Sequence, residues 1–245
     1  MCEILSKEIL PDGSVDMNVQ FPVPASPGQF IHVKCGDGVL LRRPISICDA
    51  GSGWLRFVFA VRGEGTECLA RLNPGDAVDI LGPLGVGFNP DKKGEGVPVV
   101  VGGGIGIFPL LYLSGHTGAK TEAILGFRSA DAVVMEEEFS NVCAKTYIAT
   151  DDGSYGEKGF VTDVLRRRIA EGGVSSIYVC GPTPMMKAVK AVAESTGIYC
   201  ELSLEERMGC GIGACAVCVC KSEGEYVKVC QNGPVFDSRE VDFDA

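Results

Sequence analysis

The chain has 245 residues, of which 46% are hydrophobic, and it carries a formal net charge of −10 at pH 7. This length allows one large domain or two modest ones, and the negative charge argues against nucleic acid as a partner, because the overall field repels phosphate polymers. The sequence has no apolar run that could span a bilayer and no secretory signal at its start, so we expect a cytoplasmic protein without a membrane partner. Its twelve cysteines are then expected to be thiols rather than disulfides.

Residues 1 to about 90 alternate short β-like runs with turn signals, which is typical of an antiparallel barrel or sandwich. The runs cover residues 15–21, 29–34, 54–61 and 77–81. The motif Gly82-Pro83-Leu84-Gly85 is expected to end this region, and residues 89–96 are expected to form a polar linker to a second domain.

Two short motifs in this first region have groups that suit an anionic cofactor. Arg42-Arg43-Pro44-Ile45-Ser46 puts guanidinium groups and a hydroxyl on one extended segment, which suits a phosphate and a polar ring edge. Gly63-Glu64-Gly65-Thr66 opens a helix-like run, where unpaired amide groups favour phosphate. Each motif alone also fits a simpler interpretation, a proline kink after a basic strand end or a tight turn, because such short matches are weak.

From residue 97 onward, apolar runs alternate with helical segments, which predicts βαβ units on a parallel sheet. The apolar runs cover residues 97–101, 123–127, 146–150 and 176–180. The clearest helices are predicted at residues 160–171 and 184–196, because each is followed by glycine, the residue preferred just past a helix C-terminus.

Two glycine turns follow apolar runs of this second region. The first, Gly102-Gly103-Gly104-Ile105-Gly106, resembles a dinucleotide fingerprint whose third glycine is missing, because position 107 is Ile. We expect a flat ligand to lie against it and Pro109 to begin the next helix. The second turn is Cys180-Gly181-Pro182. Both follow the carboxyl ends of parallel strands, where open sheets bind ligands, although the alternative is that they are shaped only for packing.

The most specific motif is a set of cysteines near the end of the chain. Cys210, Cys215 and Cys218 have the spacing C-x4-C-x2-C, and Cys230 follows, as in a plant-type [2Fe-2S] site. Intervening glycines let the loop bring amide groups close to the sulfurs. Cys220 is interpreted as a strand residue. A structural zinc site or a redox dithiol are the alternatives, but a zinc ribbon usually has two C-x2-C pairs and only one is present here.

The order R-x-x-S, G-x-G-T, G-P-L-G, G-G-G-I-G, C-G-P and a cysteine loop resembles the ferredoxin–NADP reductase superfamily of flavoproteins. Residues 203–230 resemble the electron transfer subunits of dihydroorotate dehydrogenase B. The resemblance implies an α+β multidomain fold: an antiparallel β-barrel that binds FAD (residues 1–92), an α/β parallel-sheet domain that binds a nicotinamide cofactor (93–202) and a small [2Fe-2S] module (203–245).

The resemblance also implies the residues of each cofactor site. FAD is expected at Arg43, Pro44, Ile45, Ser46, Val58, Phe59, Ala60, Gly65 and Thr66. NAD is expected at Gly103, Gly104, Gly106, Cys180, Gly181 and Pro182, and the cluster at Cys210, Cys215, Cys218 and Cys230. Two positions depart from the superfamily pattern. Ile45 lies where an aromatic residue is often found, and Ala60 lies where an arginine is often found; Arg62 is the candidate to take over the role of that arginine.

The implied function is electron transfer in pyrimidine biosynthesis. An FMN-containing, dihydroorotate-oxidising partner subunit is expected to deliver electrons through the cluster and FAD to NAD+, in a heterotetramer with two copies of each subunit. This chain would then be an NAD-linked oxidoreductase subunit without a catalytic acid or base of its own, and residues 208–214 would dock the partner. The alternatives are a subunit of a ferredoxin-dependent NAD(P)H oxidoreductase or sulfide dehydrogenase, and a non-catalytic zinc-bearing adaptor.

Overall fold

A computed structural model describes residues 1–36, 38–92, 94–117 and 120–243. The strands are β1 (Cys2–Ile9), β2 (Val15–Gln20), β3 (Phe30–Val33), β4 (Arg43–Gly51), β5 (Trp54–Phe59), β6 (Ala77–Val78), β7 (Ile80–Leu84), β8 (Val97–Gly103), β9 (Glu122–Phe127), β10 (Lys145–Thr150), β11 (Glu157–Lys158), β12 (Val174–Cys180), β13 (Tyr199–Ser203), β14 (Val219–Ser222), β15 (Glu225–Lys228), β16 (Val235–Asp237) and β17 (Val241–Asp242). The α-helices are α1 (Glu64–Ala70), α2 (Ile107–Thr117), α3 (Glu136–Val142), α4 (Val161–Ala170), α5 (Thr183–Thr196) and α6 (Val229–Asn232).

The first region is a seven-stranded antiparallel sheet with the order β6-β1-β2-β5-β4-β3-β7. Its two edge strands, β6 and β7, are separated along the chain by Asp79 alone, so the sheet curves until its edges meet. Alternate side chains, among them Met17 and Phe57, point inward and are fully buried. The predicted antiparallel barrel is confirmed. The Gly82–Gly85 motif lies largely within the last strand, β7, rather than in a turn after it.

The second region is a seven-stranded sheet with the order β11-β10-β9-β8-β12-β13-β16. All of its pairs are parallel except β13 with β16. Helices α2 and α3 bury their apolar residues on one face of the sheet, and α4 and α5 bury theirs on the other. The predicted βαβ architecture is therefore confirmed.

The ends of the helices follow from local sequence. Helix α4 begins after Phe160, whose backbone N–H donates to the Asp163 carboxylate, and Gly172 follows its end with φ 83°. Helix α5 ends at Gly197 in the left-handed conformation, with φ 69°. The expectation that Pro109 begins a helix is wrong, because α2 already begins at Ile107, directly after a short 3₁₀ turn.

The C-terminal residues connect the two sheets. The chain leaves the second sheet after β13, forms the cysteine loop and a three-stranded sheet of order β15-β14-β17, and contributes β16 to the edge of the second sheet. Cys220 lies on β14, as predicted. The Val86 amide of the barrel region donates to the Gly233 carbonyl at 2.6 Å, so the C-terminal residues also contact the barrel. Among the described residues, no helix has the length and apolarity needed to cross a membrane.

Candidate cofactor sites

The four cysteines of the C-terminal motif form two pairs of thiols. The sulfurs of Cys215 and Cys210 lie 3.3 Å apart in the loop after β13. Cys218 lies directly before β14 and its side chain contacts that of Cys230, which lies on α6. Cys218 and Cys230 are buried, with 1% and 3% of their surfaces exposed, whereas Cys210 and Cys215 are half-buried. One pair therefore faces the protein interior and the other lies nearer to solvent.

Backbone amides of the loop point at two of these sulfurs. The Cys215 amide donates to the Cys210 sulfur at 3.3 Å, and the Gly213 amide donates to the Cys230 sulfur at 3.2 Å. Hydrogen bonds from the amides of Cys215 and Ile212 lower the pKa of Cys210 to about 6, because they stabilise the thiolate. Burial, together with the neighbouring Cys218 side chain, raises the pKa of Cys230 to about 11. The loop thus favours the thiolate of Cys210, whereas burial favours the neutral thiol of Cys230.

This arrangement fits a two-iron cluster better than a single zinc ion. Each iron of a [2Fe-2S] cluster takes two thiolates, which matches two separate pairs. A zinc site needs its ligands around one point, and a zinc ribbon usually takes them from two C-x2-C pairs, of which this chain has one. Cys210, Cys215, Cys218 and Cys230 remain the predicted ligands, with the redox dithiol as the simpler alternative for one pair.

Glycines in the loop are required by close contacts as well as by backbone angles. Gly211 has φ 72°, and a Cβ there would lie 2.6 Å from Nδ1 of His32. Gly213 has φ 79°, and a Cβ there would lie 2.6 Å from the side-chain oxygen of Gln231. The Lys228 ammonium donates to the Gly213 carbonyl at 2.6 Å, which places a cation against the loop. Sequence reasoning identified the glycines but not these three neighbours, which lie far away in the chain or outside the motif.

The predicted FAD segment lies on β4, and the structure separates the roles of its two arginines. The Arg42 guanidinium pairs with Asp79 at 2.7 Å and lowers the pKa of that carboxyl group, so it joins β4 to the end of β6. The Arg43 guanidinium lies against Gly65, where a Cβ would be 3.0 Å from it, and donates to the Leu41 carbonyl at 2.6 Å. No carboxylate in the described part of the chain pairs with Arg43. Its charge is thus available to an anionic ligand between β4 and α1.

The other predicted FAD residues divide into buried and accessible groups. The side chains of Ile45, Val58 and Phe59 are at most 7% exposed and pack in the protein interior, so they can meet a cofactor only through their backbone. The accessible side chains of the set are those of Pro44, Ser46, Ala60 and Thr66. The Thr66 hydroxyl already donates to the Gly63 carbonyl and accepts from the Arg62 amide, and it therefore holds the turn before α1. The structure thus brings β4, the end of β5 and α1 together, and this set fits an anionic dinucleotide.

The two predicted nicotinamide turns lie side by side in the second sheet. Gly102 on β8 is the register partner of Cys180 on the parallel strand β12. The chain runs outward from β8 through β9 and β10 in one direction, whereas β12 and β13 lie on the other side of β8. The turns therefore flank the topological switch point of the sheet, where open α/β sheets bind ligands.

Packing between these turns explains several of their glycines. A Cβ on Gly106 would lie 2.4 Å from the Cys180 carbonyl oxygen, and one on Gly181 would lie 3.0 Å from the Gly103 amide. A Cβ on Gly103 would meet Pro182 at 3.0 Å. Gly104 has φ 54° and open space around it, so its backbone is accessible. Burial raises the pKa of Cys180 to about 12, and its thiol is neutral at pH 7.

A group that sequence reasoning missed connects the barrel to the second region. The Arg56 guanidinium on β5 pairs with Asp16 on β2 at 2.5 Å and with Glu138 on α3 at 2.6 Å. The side chains of Arg56 and Asp16 are only 16% and 6% exposed. The three residues are too far apart in sequence for any local pattern to relate them. They fix α3 against the barrel.

Two family models match the chain. The iron–sulfur cluster binding domain of dihydroorotate dehydrogenase B matches residues 205–242. The oxidoreductase NAD-binding domain matches residues 100–191. The first match covers the cysteine loop, and the second covers both glycine turns.

Curated relatives and solved structures agree with these models. The chain is 47% identical over 226 residues to the dihydroorotate dehydrogenase B (NAD+) electron transfer subunit of Bacillus caldolyticus, covering 88% of this chain and 86% of the relative. It is 48% identical over 228 residues to the subunit of the same name from Lysinibacillus sphaericus, covering 88% and 87%. A solved structure of an NADH-dependent reduced ferredoxin–NADP oxidoreductase, described in work on flavin-based electron bifurcation, is 30% identical with a TM-score of 0.89, covering 100% of this chain and 90% of that chain.

Proposed function

The chain belongs to the family of dihydroorotate dehydrogenase B electron transfer subunits, and from this premise we propose that it transfers electrons between a dihydroorotate-oxidising partner subunit and NAD+ in pyrimidine biosynthesis. The observation that carries the proposal is the pairing of four thiols in the segment between β13 and β16, which contacts both the second sheet and the barrel. This location of the thiols suits an electron transfer subunit, because electrons must pass between a neighbouring subunit and the interior of this chain.

The three cofactors of the proposal have different tasks. A nicotinamide exchanges two electrons as hydride and an iron–sulfur cluster passes one at a time, so FAD supplies the conversion between them when it is bound. We assign the cluster to the four paired cysteines and FAD to the segment from Arg43 to Ser46 together with residues 58–60 and 65–66. The glycine turns at the switch point are assigned to NAD. The proposed domain boundaries are residues 1–92, 93–202 and 203–245. Strand β16 belongs to the third of these segments but pairs within the sheet of the second.

The residues of this chain hold and orient these groups rather than transfer protons to an organic substrate. The substrate site is assigned to an FMN-containing partner subunit in a cytoplasmic heterotetramer. The cluster loop is the proposed docking surface, since its Ile212 and the nearby Val217 are 58% and 55% exposed. Apolar side chains exposed beside a redox site suit a partner that must approach closely.

A second candidate is a subunit of a ferredoxin-dependent NAD(P)H oxidoreductase. It is supported by the match to such a solved structure over the whole of this chain at 30% identity. The higher identities of the curated relatives and the C-terminal family model favour the first candidate. Co-purification from the native host separates the two candidates. A dihydroorotate-oxidising flavoprotein in the eluate supports the first. A ferredoxin-reducing complex without such a flavoprotein supports the second.

The proposal is tested by Cys215→Ser in the full chain isolated anaerobically with its partner. We expect loss of dihydroorotate-dependent NAD+ reduction while NADH oxidation by an artificial acceptor continues, because the FAD and nicotinamide segments do not contain Cys215. Cys220→Ser is the matched control, since Cys220 lies on β14 outside the two pairs and should leave both activities unchanged. If Cys215→Ser retained full dihydroorotate-dependent activity, or if the wild-type protein contained zinc without inorganic sulfide, the proposal would fail.

A further inference from the structure

His32 is a fully buried histidine whose two ring nitrogens lack hydrogen bonds of ordinary geometry within the described part of the chain. None of its surface is exposed, and neither ring nitrogen has a hydrogen-bond partner among the described residues. A neutral imidazole always carries one N–H donor and one acceptor. Leaving both unpaired in the interior costs stability, so a buried histidine of this kind calls for an explanation.

The position of His32 relates two of the cofactor segments to each other. His32 lies on β3, directly opposite Pro44 of β4, the strand that carries the FAD segment. Its ring also fills the space beside Gly211 of the cluster loop, where a Cβ would lie 2.6 Å from Nδ1. The backbone carbonyls of Cys210 and Arg42 lie near the ring but outside ordinary hydrogen-bond geometry. The imidazole is thus packed between the cluster loop and the FAD strand.

We propose that His32 is a positioning residue that seats the cluster loop on the FAD-binding strand, with its ring packed beside Gly211 and its N–H directed at the backbone carbonyl of Cys210. The inference rests on the proposed function, because it assigns His32 to the junction between two of the proposed cofactor sites. The glycine at position 211 then has a specific reason: only a residue without a Cβ leaves room for the ring. The side chain fixes the approach of the loop to the barrel, and through Cys210 it fixes the orientation of one cluster ligand.

Loss of this contact should act on the cluster and spare the flavin. Replacing a residue that contacts and orients a metal ligand typically lowers the metal affinity by about 10-fold to 100-fold. Leucine preserves most of the bulk of histidine but neither donates nor accepts, whereas glutamine retains an N–H donor and an acceptor. His116, the other histidine of the chain, lies exposed near the end of α2 and serves as the matched control.

The test uses the full-length holoprotein, isolated anaerobically together with any partner that co-purifies. For His32→Leu we expect an altered electron paramagnetic resonance spectrum of the reduced cluster and about 10-fold to 100-fold faster loss of iron to a chelator. FAD content should match that of the wild type. His32→Gln should recover most of the wild-type behaviour, and His116→Leu should be indistinguishable from the wild type. A His32→Leu spectrum and loss rate equal to those of the wild type would overturn the inference, as would equal defects in His32→Leu and His32→Gln.

A double-mutant cycle tests the steric part of the same contact. Gly211→Ala should accelerate iron loss more strongly in the wild-type background than in the His32→Ala background, because the ring that a Cβ would strike is then absent and only the strain of the left-handed angle at residue 211, φ 72°, remains. Equal effects of Gly211→Ala in both backgrounds would overturn the inference. These readouts need only the iron and flavin of this chain. Wild-type protein that lacks them refutes the proposed function, whereas cofactor-loaded protein that is indifferent to His32 refutes only the inference.

Discussion

Replacement of Gly106 by alanine tests whether contact between the two glycine turns shapes the nicotinamide site. Gly106 has no left-handed backbone angle, so the substitution acts through its new Cβ alone, which would lie 2.4 Å from the Cys180 carbonyl oxygen. An ordinary contact begins at 3.4 Å, so the turns must move apart by about 1 Å. Overpacking of this size costs about 1–3 kcal/mol of folding stability. A 1 Å displacement of a positioning group typically costs about 100-fold in rate.

The assay is NADH oxidation with an artificial acceptor, followed as a function of NADH concentration. We expect kcat/KM for NADH to fall by about 100-fold in Gly106→Ala, while FAD and iron contents stay at wild-type levels because the segments assigned to them lie outside this contact. Gly115→Ala is the control: Gly115 lies in α2 with open space around it, so alanine there should leave kcat/KM unchanged and stabilise the helix by about 0.5–1 kcal/mol. A wild-type kcat/KM in Gly106→Ala would refute the assignment of this turn junction to the nicotinamide.

Two further predictions concern charged groups. Arg56→Met should lower the free energy of unfolding by about 3–5 kcal/mol, because it leaves the buried carboxylate of Asp16 unpaired, and the melting temperature should fall by on the order of 10 °C. Arg166→Met, which removes a pair whose side chains are 60% and 63% exposed, should cost at most about 1 kcal/mol; equal shifts in thermal scans of the two variants would contradict the burial argument. Lys228→Met should lower the reduction potential of the cluster in a potentiometric titration, because the ammonium that donates to the Gly213 carbonyl favours the more negative, reduced state. An unchanged or higher potential would show that this cation does not act on the cluster.

The parts of the protein that sequence reasoning predicted are those encoded by neighbouring residues. The cysteine spacing predicted a metal site because its first three candidate ligands lie within nine residues of one another, and the structure brings Cys210 and Cys218 close to Cys230. The alternation of apolar runs and helices predicted the parallel sheet for the same reason. The helix ends at Gly172 and Gly197 were also predictable, since a single residue type carries that signal.

The remaining features depend on contacts between distant segments. Nothing near His32 in the sequence indicates that its ring lies beside Gly211, and nothing near Arg56 indicates Glu138. The buried side chains of Val58 and Phe59 show a related limit, because a family motif names residues without telling whether their side chains or their backbone face the ligand. Such assignments need the register of the strands and the packing of the sheets.

The return of β16 to the sheet has a consequence for protein engineering. Val235 of β16 is the antiparallel neighbour of Ser203 at the end of β13, so the two backbone positions on either side of the cysteine-containing segment lie about 5 Å apart. A two-residue hairpin is enough to close such a gap. The intervening residues therefore leave and rejoin the sheet at one point, but their excision would leave β17 without its partner, because β17 lies beyond them in the chain and pairs with β14 inside them. Cutting the chain after Ser203 would also remove β16 and expose the backbone edge of β13 to aggregation.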